Sequence, residues 1–200
     1  MDTDYMKISE DEAVKWLKEH LTEKRFNHSL GTAECAQRLA EKYGADERKA
    51  YIAGLLHDCA KCLPDEELLQ IIDEHIKDVP DDERSNKKTL HAPAGRYVAQ
   101  KVFGVTDEEI LSSIRWHTIG KLDMTLFEKI IFLADKIETR TRKEEYRSKI
   151  VKYIDGPDGL NKCILACYKE TIKSLVDRDL RICPLTVEIY NHLEKITNVK

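Results

Sequence analysis

Apolar residues in this chain recur three and four positions apart between polar caps, and nowhere alternate one-in-two over the length of a strand. That spacing admits helices and excludes a sheet-based fold. Residues 9–21 show it first. Ser9 can cap the helix, Glu12 stands three residues on, and Val14, Leu17 and Leu21 form one stripe. A second helix is expected over 25–43, ended by Gly44. Asp46 caps a third, which runs to about residue 59 and stops before Pro64. A short helix follows over 65–75. Another restarts near Leu90, with Pro93 in a first turn where no N–H partner is lost. Further helices are expected over 107–117, 125–139, 158–176 and 186–196, the last two separated by the Cys183-Pro184 break. The polar stretch 76–88, with "VPDDERSNKK", reads as a loop and a mobile lid. The expectation is an all-α helical bundle, with the 200 residues forming a single domain.

The formal net charge of -4 argues against a general nucleic-acid binder but leaves room for a local basic pocket. No apolar run approaches a membrane span, and the N-terminus shows no basic and apolar signal pattern. The six cysteines are therefore expected as reduced thiols in a cytoplasmic protein.

Several segments place His or Asp where a soluble helix would not normally want them. "AYIAGLLHDCAK" closes an apolar helix with His57 and Asp58, and "RFNHSLGTAECAQRLA" puts His28 among small and apolar residues. "EKIIFLADKIE" carries Asp135 on the same face as Ile131, which is unfavourable unless the carboxylate is paired or bound to a cation. "LHAPAG" and "IRWHTIG" set His91 and His117 at helix ends. Taken singly, each has an ordinary reading as a core histidine, a cap or an ion pair. Taken together, four imidazoles and two carboxylates suit Fe, Mn, Zn or Co better than Ca or Mg. Six ligands exceed the needs of one open site. Two ions sharing a carboxylate would use them, lowering the pKa of a bridging water and clamping a phosphoryl displacement.

The order His28, His57-Asp58, Asp135 resembles the H…HD…D signature of the HD-domain superfamily of metal-dependent phosphohydrolases. The strings "RFNHSLGTA", "AGLLHDCAK", "LHAPAG", "WHTIG" and "FEKIIFLADKIE" are similar to one branch, the YqeK family of symmetrical bis(5'-nucleosyl)-tetraphosphatases, over roughly residues 20 to 145. The resemblance implies an HD-domain bundle with a catalytic core over about 20–145 and C-terminal helices over 146–200. It implies cleavage of diadenosine tetraphosphate to two ADP by a hydroxide bridging two metal ions. Iron is the expected metal, with Mn, Co or Zn as alternatives. The implied ligands are His28, His57, Asp58, His91, His117 and Asp135, with Asp58 bridging. Lys61 matches an HD-x-x-K pattern and would act on phosphate in catalysis. Arg25 and one of Arg140 or Arg142 would join it in binding substrate. Where the family continues "ADxIEPxR", this chain reads "ADKIETRTR", with Thr139 for the Pro, so the choice of arginine stays open. The implied partners are a dinucleoside polyphosphate and an ADP- or GDP-type product, with no nucleic acid, no membrane and a possible homodimer.

Other readings compete. "CAKC" at Cys59–Cys62 has redox spacing but lacks a βαβ context. Arg25, Arg140 and Arg142 read equally as solvated charges, and Lys61 also admits that reading. Trp16 and Trp116 read as packing, and His20, His75 and His192 receive no role. The chain could act on another nucleotide, or be a non-catalytic nucleotide-binding module.

Overall fold

In the computed structural model, which describes residues 5–77 and 79–197, eleven helices and no strands are present among the described residues. The first three are α1 (Glu10–His20), α2 (Glu23–Tyr43) and α3 (Glu47–Leu56). α1 starts with the expected capping box between Ser9 and Glu12. α2 begins two residues earlier than its spacing suggested, because the Thr22 side chain accepts from the Arg25 amide. It ends at Gly44, whose φ of 73° is the left-handed conformation that glycine adopts without a Cβ clash.

α3 is buried on nearly every side, including Ala50, Ile52, Ala53, Leu55 and Leu56. A helix apolar all round belongs at the centre of a fold. It crosses α2 at very close range, because a Cβ on Gly54 would lie 2.8 Å from the Ala33 Cα. This approach brings His28 on α2 toward His57, which caps α3 at its C-terminus. α3 ends at Leu56, short of the expected residue 59. Residues 57–62 continue as tight turns in which Cys59 N–H donates to Leu56 O and Lys61 N–H to Asp58 O.

The chain continues through α4 (Asp65–His75), α5 (Asp81–Arg84), α6 (His91–Val102), α7 (Glu108–Trp116) and α8 (Leu126–Ile137). α8 packs against α2, α3 and α7. α9 (Glu144–Val151), α10 (Gly159–Val176) and α11 (Pro184–Thr197) complete the fold, with α10 lying on α8. α9 was not expected from the sequence. Only Ile150 of its eight residues is buried, so it has no stripe to read.

The 76–88 segment also differs from a free loop. It contains α5, and Glu83 there makes a buried two-pronged pair with Arg115 of α7, at 2.8 and 2.6 Å. Such a pair holds the segment down, because removing either charge would strand the other in the interior. Asp78, within the proposed lid, lies outside the described residues.

Gly54 yields the first prediction. Gly54→Ala adds a methyl against backbone atoms, which cannot rotate away, so it should destabilise the fold by about 1–3 kcal/mol despite alanine's better helix propensity. A urea midpoint equal to or above that of the parent protein would contradict this close helix approach.

Candidate metal centre

The six expected donors come from five places in the fold. α2 supplies His28, the α3 C-terminus supplies His57 and the turn after it Asp58, α6 opens on His91, α7 ends at His117, and α8 carries Asp135. All six are buried. They form three overlapping triads, His28–His57–Asp58, His57–His117–Asp135 and Asp58–His91–His117, with ligand atoms in each within 4.8 Å of one another.

Hydrogen bonds on the far side of the rings fix the direction of the lone pairs. His57 Nδ1–H donates to Gly54 O at 2.7 Å, and His117 Nδ1–H to Ile114 O at 2.7 Å. A carbonyl can only accept, so Nδ1 carries the proton and Nε2 is left basic. His28 Nδ1–H donates to Glu138 Oε1 at 3.0 Å. The Nε2 atoms then face one another, His28 against His57 at 3.3 Å and His91 against His117 at 3.2 Å. Basic nitrogens at that separation repel unless a proton or a cation sits between them. The donor chemistry therefore fits metal ions.

Asp58 is placed to be shared. Its Oδ1 lies 3.2 Å from His91 Nε2 and 3.5 Å from His117 Nε2, while Oδ2 lies 3.8 Å from His57 Nε2. The two oxygens thus face different histidines. Asp135 Oδ1 lies 2.8 Å from His28 Nε2 and 3.8 Å from His57 Nε2.

Electrostatics leave His57, His91 and both carboxylates in ligating form. Burial pushes the His57 pKa down to about 3 and that of His91 down to about 4, against the partial support of Asp58. Burial alone would raise Asp58, but His57, His117 and His91 outweigh it and hold the carboxyl well below its usual range. Asp135 is likewise lowered against its burial, by Lys136, Arg142, His28 and His57. His28 shifts the other way. Burial opposes its charging, yet hydrogen bonds to Asp135 and Glu138 raise its pKa.

A cavity of about 370 Å³ opens over the donors. Three of the four basic residues named from the sequence line it. Arg25 Nη1 donates to Asp58 Oδ2 at 3.2 Å, and Arg142 Nη2 to Asp135 Oδ1 at 2.6 Å. Lys61 Nζ lies 2.9 Å from His91 Nδ1. Arg140 does not line this cavity. Its Nη2 and Nε donate to Glu34 at 2.5 and 3.1 Å on the outer side of α2. Cys59 is fully enclosed and its thiol is strongly raised by burial, while Cys62 is exposed, and all six cysteines are unbridged.

Two residues escaped the sequence reading. Lys136 lines the cavity and donates to Asp135 Oδ2 at 2.5 Å. Glu138 is fully buried and accepts from His28, from the Thr141 hydroxyl and amide, and from the Arg140 amide. Burial alone would raise its pKa, but these bonds bring it down to about 2. Gly31, three residues after His28, makes room for it, since a Cβ there would collide with the Glu138 carboxylate. Its signal in the sequence was the spacing of a second acid three residues after Asp135.

In the metal-free protein, His57 and His91 should destabilise the fold on acidification. An unfolded chain takes up protons near pH ~6.5, whereas the folded rings resist to about 3 for His57 and about 4 for His91. The unfolded state therefore binds more protons across this window, and stability falls as pH drops. His28 has the opposite sign but is one ring against two. The urea midpoint of chelator-treated protein should fall between pH 7.5 and 5, and a flat or rising midpoint would contradict the assignment.

Comparison with known proteins agrees with this geometry. The HD domain family pattern matches residues 25–140. A Bacillus subtilis (strain 168) protein named "Bis(5'-nucleosyl)-tetraphosphatase, symmetrical" is 38% identical, over 93% of this chain and 98% of its own. A Staphylococcus aureus (strain NCTC 8325 / PS 47) protein of the same name is 35% identical, over 91% of this chain and 93% of its own. The crystal structure of a protein described as a predicted HD superfamily hydrolase involved in NAD metabolism, from Clostridium acetobutylicum, is 40% identical. It superposes with a TM-score of 0.87, covering 94% of this chain and 98% of that one.

Proposed function

The chain belongs to the HD domain family, and on that premise we propose that it hydrolyses diadenosine tetraphosphate symmetrically to two ADP. The observation that carries this reading is the convergence of four imidazoles and two carboxylates beneath a cavity walled by cations. The names of the relatives supply the substrate class.

His28, His57, Asp58, His91, His117 and Asp135 would hold two metal ions, with Asp58 facing both. Ions bound there supply Lewis acidity, which makes water a better nucleophile at neutral pH and offsets phosphate charge. The mix of neutral nitrogen and hard oxygen donors suits Fe, Mn, Co or Zn better than Ca or Mg, and the family resemblance makes iron the first choice among them. Free thiols, and the lack of any helix among the described residues long and apolar enough to cross a membrane, support a cytoplasmic location. A homodimer is compatible with the exposed apolar side chains Leu122, Leu126 and Val187.

The chain's own residues handle the substrate. Arg25, Lys61, Lys136 and Arg142 lie around one cavity and bring positive charge to where a transferring phosphoryl group gathers negative charge. Lys61 and Asp58 stand closest to the chemistry, within one turn after α3. Burial, with Arg25 and Lys136 nearby, lowers the Lys61 pKa against the pull of Asp58 and Asp135. Glu138 keeps the His28 proton on Nδ1, so that Nε2 faces inward. Attack at an inner phosphorus releases ADP and leaves ADP. Attack at an outer phosphorus would give AMP and ATP.

Anaerobically purified protein should contain metal and convert diadenosine tetraphosphate to ADP alone, as resolved by ion-exchange chromatography. His57→Ala and Asp58→Ala should each lose metal and lower turnover by at least on the order of 100-fold, the upper end of what outer-shell changes cause. Equal amounts of AMP and ATP, or full turnover in either variant, would refute the proposal.

A further inference from the structure

We infer that the substrate groove runs through the metal centre and continues on both sides, giving each nucleotide half its own arm. This rests on the proposed hydrolysis and concerns how that substrate is gripped. Three adjoining cavities share walls. The cavity of about 370 Å³ reaches from the donors to α10, where Thr171, Ser174 and Arg178 line it. A second, of about 210 Å³, shares Arg25 and Arg142 with the first and has His28 in its wall. A third, of about 580 Å³, shares Lys24 and Thr141 with the second and adds Arg140. The path leads from α10, across the donors, to the start of α2.

The distribution of charge along it suits a long polyanion with a nucleoside at each end. Lys61, Lys136 and Arg178 line the first cavity alone, Arg25 and Arg142 the junction, and Lys24 and Arg140 the far end, seven cations against only Glu170 and Glu23 outside the donor set. The α10 arm offers hydroxyls from Thr171 and Ser174 beside the apolar Leu175, four residues after Thr171 on the same helical face. This combination fits a ribose and base. The α2 arm is narrow beside the donors, at about 210 Å³, and widens to about 580 Å³ at its outer end. Its Arg140 is paired with Glu34, and both side chains are about 40% exposed. An exposed pair of that kind contributes little, so Arg140 can exchange Glu34 for a ligand at low cost.

Two arms also explain a symmetrical cut. A site holding one nucleotide end would accept any leaving group on the other side. A groove gripping both ends places the middle of the tetraphosphate over the donors. Arg142 and Arg140, equivalent by sequence, then serve different parts of the substrate.

The test is calorimetric binding of a non-hydrolysable methylene-bridged analogue of diadenosine tetraphosphate, and of ADP, to the metal-replete protein. Lys24→Ala combined with Arg140→Ala should weaken the analogue on the order of tenfold, with ADP affinity and metal content unchanged, because ADP settles in the α10 arm, where hydroxyls stand beside an apolar side chain. Ser174→Ala combined with Arg178→Ala should weaken both ligands. All four side chains are exposed, so folding is not at stake. Unchanged analogue affinity in the Lys24/Arg140 variant, or loss of metal from it, would overturn the inference. A parent protein that binds the analogue with this pattern but forms no ADP from the true substrate would instead refute the proposed activity and leave the two arms standing.

Discussion

Two ionised carboxylates and several basic imidazole nitrogens share a buried space a few ångströms across, and the rest of the fold exists to hold them there. Left alone, such a set is costly, since burial disfavours charge and facing lone pairs repel. Four cations offset this. Arg25 leans on Asp58, Arg142 and Lys136 on Asp135, and Lys61 on His91. These side chains thus have two uses. They balance the carboxylates in the protein as it folds, and they face a cavity where an anionic substrate would meet them. Ions arriving at the donors would take over the first task and release the cations for the second.

Helix packing sets how close the donors come. Gly54 lets α3 press against the backbone of α2, and Gly31 on the same α2 lets Glu138 reach the far side of His28. Both glycines act by what they leave out. Gly120, at φ 82°, combines a left-handed turn with space for the Tyr168 hydroxyl, which donates to Ile119 O at 2.6 Å just beyond His117. The positions of the imidazoles are therefore set by close backbone approaches as much as by contacts of the rings themselves.

Four of the donors stood out in the sequence because they broke a pattern, while His91 and His117, at helix ends, were legible only as part of the set and through the family resemblance. His28 and Asp135 interrupt apolar faces, and His57-Asp58 follows the uncharged run of residues 50–56 that ends α3. The helices were legible for the same reason, through their stripes and caps. What stayed hidden lacked such contrast. α9 buries one residue, and Lys136 and Glu138 look like ordinary helix-end charges until α2 and the 138–142 turn fold around them. The polar 76–88 stretch looked free because its anchor, Arg115, lies some thirty positions away. Arg140 and Arg142 differ by two residues and no local rule separates them. Only the turn after α8 sends one inward to Asp135 and the other outward to Glu34.

The family pattern ends at residue 140, yet the cavity over the donors is closed on one side by α10, which lies beyond it. Every proposed metal ligand lies within the matched part, and the hydroxyls of α10 lie outside. Chemistry and recognition are thus carried by different stretches of chain. They are nevertheless not mechanically independent. α10 rests on α8, with Phe132 and Tyr168 stacked at 5.4 Å, and α8 bears Asp135. The same Tyr168 holds the turn behind His117. A ligand that shifted α10 would move two donor-bearing segments with it. These contacts tie the α10 wall, outside the family's shared core, to the proposed metal donors inside it.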